Sequence, residues 1–282
     1  WLQRCQNTDG GFSITQGLPS EMDSTFRAVD ALAALGARPK NAQACIAWTR
    51  SCRNDDGGYA GEPDWHSNVA WTHMALDVLG KLGEKPPKPA DTAAWLARTI
   101  NEDGGSGASP VTGRIPYHPG WPSSTEYTAY RIKALASLER PQIRSEDALR
   151  FFLQRQVAGT GFGHRGRPAC PAYTSEGLEA LSVLGNEISD RETCLSWLLG
   201  LQKGDGGYGW PGGDRGTLRH TFHVLRSLQT LVHGLDPESA RKTAGFVLKC
   251  QARDGGFGYR PGHPPTVTGT WYAVHINALL VW

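Results

Sequence analysis

The stretch that decides the fold is LQRCQNTDGGF at residues 2–12, and it returns as LQKGDGGYG at 201–209 and as LKCQARDGGFG at 248–258. The triplet Asp-Gly-Gly occurs five times, and a degraded copy, GTGF, stands at 159–162. The steps along the chain are 47, 47, 57, 45 and 49 residues when the copies are counted at Asp9, Asp56, Asp103, Thr160, Asp205 and Asp254. The sequence therefore divides into six units of about 47 residues, and the third carries an insertion of about ten.

Each unit predicts a helix, a glycine-rich turn and a second helix. Apolar residues recur at helical spacing on both sides of the turn, and no stretch predicts a strand. Several second helices close on the pattern Ala-Leu-x-x-Leu-Gly, at 31–36, 75–80 and 180–185, where the glycine fits a left-handed cap. Ser20, Ser123 and Thr266 are predicted as N-caps of second helices.

The glycine pairs are interpreted as structural. They supply positive φ in a turn, and the aromatic residue that follows them packs on the neighbouring repeat. A phosphate-binding loop is excluded because no Lys-Ser/Thr follows the glycines and no strand precedes them. Since a helix pair cannot bury its apolar face alone, the pairs must stack, either as an open solenoid or as a closed ring. We expect an all-α fold, an (α/α)6 barrel that forms one domain over residues 1–282.

Composition and charge narrow the class of protein further. Among the 282 residues, 29 Lys and Arg balance 27 Asp and Glu, and this excludes a strongly basic nucleic-acid binder and an acidic disordered regulator. Six Cys are too few for a disulfide scaffold, and Cys5, Cys52 and Cys250 share one repeat position that indicates packing. No apolar run reaches the roughly 18 residues that a membrane span needs. Near-neutral charge and free thiols predict a cytoplasmic location. The chain opens at Trp1 in what reads as the middle of a helix, so a leader or first turn is expected to be missing.

These units resemble the repeats of the terpenoid cyclase and protein prenyltransferase β-subunit superfamily, and especially the turn repeats of squalene and hopene cyclases. The resemblance covers nearly the whole chain. It implies that the second helix of each pair is the inner one and that its N-terminal end faces the mouth of a central cavity. The same fold carries both enzymes and non-catalytic binding domains, so the function has to be argued from the site.

The zinc-dependent branch of this superfamily does not fit. A chain that resembles this branch would carry an Asp-x-Cys pair at the start of one inner helix and a His at the start of the next. Here residues 214–220 contain no Cys, Thr217 and Arg219 stand at the Asp and Cys positions, and Gly269 stands at the His position. We therefore expect no metal and no other cofactor, and a protein distinct from the zinc protein prenyltransferases.

The acid-catalysed branch fits in part. Class II terpene cyclases carry Asp-x-Asp-Asp followed by Thr, and the first unit here reads Glu21, Met22, Asp23, Ser24, Thr25. The resemblance places the proton donor at Asp23, with Glu21 tuning it. Two crowded carboxyl groups in a poorly hydrated cavity cannot both ionise easily, so one keeps a proton that it can donate. The alternative is a helix N-terminal carboxylate pair stabilised by the helix dipole.

Further candidate residues lie near the starts of the second helices. Aromatic side chains there are expected to line the cavity and stabilise cations, and Arg219 with His220 or His223 is expected to hold an anionic group. His66, His220 and His223 are also candidates for acid–base work near neutral pH. The loop 107–122 is either a lid or a surface insertion. The aromatic candidates are Trp65, Trp71, Tyr127, Tyr130, Tyr173, Trp271 and Tyr272.

Three functional hypotheses follow. The first is a metal-independent, terpenoid-cyclase-like enzyme of the isomerase or lyase type that acts by acid catalysis on a part-apolar small molecule, with isoprenoids as the candidate substrates. The second is a histidine-based acid–base enzyme for a polar or anionic small molecule in the same cavity. The third is a non-catalytic binding or scaffold protein. None of them requires nucleic acid as a partner.

Overall fold

The computed structural model describes residues 1–110, 122–140, 143–164 and 166–281. Within these ranges the chain forms α-helices separated by turns, preceded by one short 3-10 helix at Leu2–Cys5. None of these helices is long and apolar enough to cross a bilayer. The helices are α1 (Met22–Ala34), α2 (Ala42–Ser51), α3 (Val69–Lys81), α4 (Pro89–Arg98), α5 (Thr125–Ser137), α6 (Ser145–Arg155), α7 (Pro171–Val183), α8 (Arg191–Leu199), α9 (Leu218–Thr230), α10 (Pro237–Lys249) and α11 (Val267–Leu280).

The odd-numbered helices form a closed inner ring. Each contacts the next along the chain, from α1 through α3, α5, α7 and α9 to α11, and α11 returns to contact α1. Each even-numbered helix packs outside on the odd-numbered helix that follows it, and Leu2–Cys5 contacts both α1 and α11. The apolar core lies between the two rings. The predicted all-α toroid is therefore confirmed, and the open solenoid is excluded.

The Asp-Gly-Gly triplets act as turn anchors. Gly10 has φ of 99°, and a Cβ atom placed on it would lie 2.3 Å from the Ala44 carbonyl oxygen, so only glycine fits. Asp9 Oδ1 accepts hydrogen bonds from the Gly11 amide at 3.0 Å and from the Ser20 hydroxyl at 2.7 Å. The same pattern holds around Asp56 and Asp103. These contacts give the glycine pairs the structural role that the sequence predicts.

A threonine on each inner helix fastens the turn of its own repeat. Its hydroxyl accepts a hydrogen bond from the backbone amide of the residue after the second glycine, at 2.9–3.0 Å. We call these residues the tether threonines: Thr25, Thr72, Thr128, Thr174, Thr221 and Thr270. They define a common register for the six inner helices. Thr25 is also the threonine that follows the acid motif in the family resemblance. Because every repeat has a threonine in this role, the repeat alone explains Thr25.

Two local predictions are wrong by a small shift. Ser20 and Ser123 are not N-caps, because Glu21 and Ser124 occupy the cap positions and the two serines bond to Asp9 and Asp103 instead. The predicted N-cap at Thr266 is confirmed, and its hydroxyl accepts from the Gly269 amide at 2.9 Å. Gly80 lies inside α3, and the left-handed glycine of that repeat is Gly83, with φ of 83°.

Neighbouring repeats are joined by backbone hydrogen bonds at the starts of inner helices. The Met22 amide donates to the Gly61 carbonyl at 2.8 Å, and the Val267 amide donates to the Ile14 carbonyl at 2.9 Å. The second of these bonds joins the last repeat to the first, so the ring is closed by the same contact that links its members. The six Cys residues are all buried, in agreement with a packing role.

Candidate active site

A cavity of about 980 Å³ lies inside the inner ring and is lined by all six inner helices. The tether threonines divide its wall into levels. Residues two positions before the threonine form the N-terminal level, residues one or two positions after it form the middle level, and residues five positions after it form the third level. Because the helices share one register, residues with equal offsets lie at equal depth around the ring.

Asp23 lies at the N-terminal level, where the side chain is about a third exposed, at 35%. Its Oδ1 atom is 2.9 Å from Nη2 of Arg27 one turn later on α1, so it forms an ion pair with a guanidinium that is itself only 15% exposed. Glu21 lines the same part of the cavity, and its Oε1 accepts a hydrogen bond from the Ser24 hydroxyl at 2.5 Å. The two carboxyl groups are thus each engaged by a separate partner on α1.

Aromatic side chains from α1, α9 and α11 form one wall of the middle level. Trp271 lies at the centre, with its ring 4.6 Å from Phe222, 5.0 Å from Tyr272 and 6.3 Å from Phe26, measured between centroids. The Arg27 guanidinium lies 5.3 Å from the Trp271 ring. This aromatic wall provides the electron-rich faces that stabilise cations.

Three cavity histidines are held in the neutral form. Burial, followed by the charge of Arg219, lowers the pKa of His220 to about 4 and that of His223 well below its usual value. Burial, followed by the charge of Lys133, likewise lowers the pKa of His73, whose ring stacks on Tyr130 at 5.4 Å. At neutral pH these rings therefore carry no extra proton to donate, and they are weak bases.

The third level contains a titratable residue from every inner helix. We call this ring of six the charged belt: Asp30, Asp77, Lys133, Glu179, Arg226 and His275. Each stands five positions after its tether threonine, and all six line the cavity.

The charged belt is organised into two ion-pair networks. On one side, Lys81 joins Asp77 to Asp30, with Nζ 3.2 Å from Asp30 Oδ1, and His275 Nε2 lies 3.0 Å from Asp30 Oδ2. Trp271 Nε1 also donates to Asp30 Oδ2 at 2.6 Å, which connects the belt to the aromatic wall.

The second network lies on the opposite side of the ring. Lys133 Nζ is 2.5 Å from Glu176 Oε2 and 3.2 Å from Glu179 Oε2, and Arg226 pairs with Glu179. Burial raises the pKa of Glu176, and the neighbouring Glu179 adds to this effect. Burial also opposes the charge of Glu179, but Lys133 and Arg226 together outweigh it and lower the pKa of Glu179.

The structure brings most of the candidate residues together in this cavity. They are Glu21, Asp23, Trp71, Tyr130, Tyr173, Arg219, His220, His223, Trp271 and Tyr272. Three other candidates, Trp65, His66 and Tyr127, do not line it. Trp65 is half exposed, and its ring and that of His66 contact Trp71 from outside the cavity. Most of the predicted lid loop, residues 111–121, lies outside the described residues, and so do Tyr117, His118 and Trp121.

The sequence analysis missed Phe26, Arg27 and Phe222. Of the charged belt, the sequence indicates Glu179, Arg226 and His275 as polar residues of inner helices, but it does not show that the six belt residues form one ring. The repeat register carries the signal for them, because each belt residue follows a threonine by five positions, but that register becomes visible only once the threonines are recognised as tethers. Among the described residues, no three or more His, Cys, Asp or Glu side chains are grouped so as to hold a metal ion.

The family model of the prenyltransferase alpha-alpha toroid domain matches residues 1–48, 27–117 and 121–281. The chain therefore belongs to this family, as the resemblance of its repeats indicates. Several enzymes of known structure have folds similar to the fold of this chain.

Protein geranylgeranyltransferase-I of Candida albicans, complexed with GGPP, superposes with a TM-score of 0.78 at 14% identity, over 92% of this chain and 83% of that one. The type II terpene cyclase MstE from Scytonema gives 0.71 at 16% identity, over 99% and 94%. The ent-copalyl diphosphate synthase of Streptomyces platensis gives 0.61 at 18% identity, over 92% of this chain and half of that one. At these identities the likeness concerns the fold.

Proposed function

We propose that this protein is a terpenoid-cyclase-like enzyme that converts a part-apolar, prenyl-derived small molecule by acid catalysis in the central cavity. In this reaction a carboxyl group protonates the substrate, the aromatic wall stabilises the resulting cation, and loss of a proton yields an isomer of the substrate. No metal takes part in the proposed step.

One observation carries the proposal: cavity carboxyl groups and the aromatic wall share one cavity in which His73, His220 and His223 are neutral. With His73, His220 and His223 holding no extra proton at neutral pH, a carboxyl group is the remaining candidate for a general acid in the middle level. Asp23 and Glu21 at the N-terminal level are the acid pair that the sequence suggests. Arg219, which is exposed at that level, is proposed to anchor an anionic group of the substrate.

The prenyl character of the substrate is supported by the ligands of similar structures. The Candida geranylgeranyltransferase-I was solved with GGPP, and a variant of MstE was solved with geranylgeranyl dihydroxybenzoate as its substrate. Both ligands combine a long isoprenoid chain with a polar end. A cavity with an aromatic wall and a charged belt offers surfaces for both parts of such a molecule.

The proposal is tested by incubating the purified protein with GGPP, geranylgeranyl dihydroxybenzoate and squalene in D₂O, followed by mass spectrometry of the products. Acid catalysis predicts a cyclic isomer that carries deuterium at the protonated carbon. Release of diphosphate from GGPP without deuterium incorporation would show ionisation of the substrate instead and would refute the proposal.

A pair of variants tests whether the cavity is the site of reaction. Ala172 lines the cavity, whereas Ala33 on α1 is exposed. We expect Ala172→Trp to obstruct the N-terminal level of the cavity and lower turnover, and we expect Ala33→Trp to retain it. Equal activities of the two variants would place the reaction elsewhere.

A second candidate function is acid–base catalysis on a polar or anionic small molecule. The charged belt and the exposed Arg219 favour it, because they offer many polar contacts. The low pKa values of the cavity histidines count against it at neutral pH, since a strong base is needed for such a role. Loss of turnover in His220→Gln or His223→Gln, together with a product that contains no new carbon–deuterium bond, would favour this candidate.

A further inference from the structure

We infer that Glu176 on α7 is the carboxyl group that protonates the substrate, in place of Asp23 on α1. This inference rests on the proposed function and deepens it, because it names the acid. It follows from how the charges around the two carboxyl groups are distributed.

Two carboxyl groups compete for one ammonium group beside the cavity. Glu176 and Glu179 are one helical turn apart on α7, and both contact Lys133 Nζ, at 2.5 and 3.2 Å. Arg226 on α9 pairs with Glu179 and has no contact with Glu176 among the described ion pairs. Glu179 therefore faces two cations, while Glu176 has a share in one.

Among the described residues, no second cation lies within ion-pair distance of Glu176. From α5 it faces Glu126 and the neutral Tyr130 besides Lys133, and from α9 the neutral His223 lies at its level. The Glu176 side chain is 13% exposed, so water contributes little to stabilising a carboxylate there. When two nearby carboxyl groups differ in this way, the proton resides on the one with the weaker partners.

Asp23 has the opposite surroundings. The Asp23 side chain is 35% exposed, and its Oδ1 atom lies 2.9 Å from the guanidinium of Arg27, whose side chain is 15% exposed. Asp23 has this guanidinium to itself, whereas Glu176 shares the ammonium of Lys133 with Glu179, and protonating Asp23 would leave Arg27 without its counter-charge.

Glu176 is also well placed for the proposed step. α7 is the third helix from α1 in either direction around the ring, so Glu176 faces the α1 side of the cavity, with Phe222 and Trp271 on the helices between. In the step, the alkene π pair forms a new C–H bond with the carboxyl proton, which leaves a carbocation on the neighbouring carbon and a carboxylate on Glu176. Lys133 stabilises that carboxylate, and the proton that the cation later loses balances the one supplied.

Infrared spectroscopy tests the protonation state without any substrate. At pH 7 the wild type should show the carbonyl band of a protonated carboxylic acid, and the band should persist in Asp23→Asn and vanish in Glu176→Gln. Absence of the band in the wild type, or its survival in Glu176→Gln, would overturn the inference.

A second variant keeps the test decisive if Glu176→Gln fails to fold. In Glu179→Gln the ammonium of Lys133 keeps Glu176 as its one carboxylate partner in the described part of the chain, so Glu176 should ionise more readily and the band at pH 7 should weaken. An unchanged band in a folded Glu179→Gln protein would overturn the inference.

Activity then connects the proton to the reaction. Glu176→Gln should lower the rate of deuterium incorporation by about 10²–10⁴-fold, the usual contribution of a general acid, while Asp23→Asn should retain a larger rate. A larger loss of rate in Asp23→Asn than in Glu176→Gln would identify Asp23 as the proton donor instead. If the wild type converts none of the three compounds while the infrared band is present, the proposed function fails and the protonated state of Glu176 stands.

Discussion

At the scale of single residues, the tether threonines carry the repeat. Thr221 shows the arrangement fully: its hydroxyl accepts from the Tyr208 amide at 2.9 Å and donates to the Thr217 carbonyl at 2.7 Å, in a buried position. Valine would match the shape of this side chain, but it could neither accept nor donate these two hydrogen bonds.

Thr221→Val should destabilise the protein by about 1–3 kcal/mol, because the buried Tyr208 amide loses its acceptor. Thr221→Ser retains the hydroxyl and should cost less. Urea unfolding followed by circular dichroism measures both. Equal stability of the valine and serine variants would show that the hydrogen bond contributes little.

The neutral state of His220 predicts a pH dependence of stability. Its folded pKa of about 4 lies below the ordinary value of 6.5, so between these pH values the unfolded chain binds a proton that the folded protein does not. The free energy of unfolding should therefore fall as the pH drops from 7 to 5, by on the order of 1 kcal/mol for this partly exposed ring.

His220→Gln should remove that part of the pH dependence. Urea unfolding at pH 7 and pH 5 measures the difference, and His263→Gln at an exposed position serves as the surface control. If the wild type and His220→Gln lose the same free energy between the two pH values, the ring is not held neutral by its surroundings.

At the scale of the helices, the contact between α1 and α11 closes the ring. Trp271 on α11 donates from Nε1 to Asp30 Oδ2 on α1 at 2.6 Å, and its ring packs near Phe26 on α1. One residue thus lines the cavity and also joins the two helices that lie farthest apart in the sequence.

Trp271→Phe should destabilise the fold by about 1–3 kcal/mol, since a buried carboxylate loses a donor. Hydrogen exchange should rise first at amides of α1 and α11. Trp197→Phe on the outer helix α8 removes the same atoms where the described residues show no indole hydrogen bond. A larger effect of Trp197→Phe would contradict the role given to the bond with Asp30.

Sequence patterns predict these helices well and the site only in part. The period of the glycine turns and the helical spacing of apolar residues are local signals, so they predict the helices and their turns. Six stacked pairs are consistent with a closed ring, but its closure by α1 and α11 is a long-range contact that periodicity alone does not predict. The partners of Lys133 and Asp30 belong to other repeats, and their pairing depends on the register that the ring imposes. The ion pair of Asp23 with Arg27 is a local i,i+4 contact, and the acid-motif interpretation of residues 21–25 overlooked it.

At the scale of the whole molecule, the charged belt involves all six repeats. The belt carboxylate Glu179 pairs with two cations, Lys133 on α5 and Arg226 on α9, and its side chain is 16% exposed. Removing its charge therefore affects three neighbouring repeats at once.

Glu179→Gln should cost about 1–3 kcal/mol of unfolding free energy, because Arg226 is left without its carboxylate near the cavity. Glu238→Gln on α10 breaks the exposed pair with Lys242 and should cost less than about 1 kcal/mol. Thermal and urea unfolding of the two variants make the comparison. Similar small losses in both would mean that water screens the belt as effectively as the outer surface.

The belt has one further consequence, for protein engineering. Each repeat contributes a single codon to this layer, and those side chains lie apart from the hydrogen bonds that hold the turns. A combinatorial library restricted to these codons would vary the chemistry of the interior and leave the turns intact, provided that Asp30, which bonds to Trp271 where the ring closes, is kept.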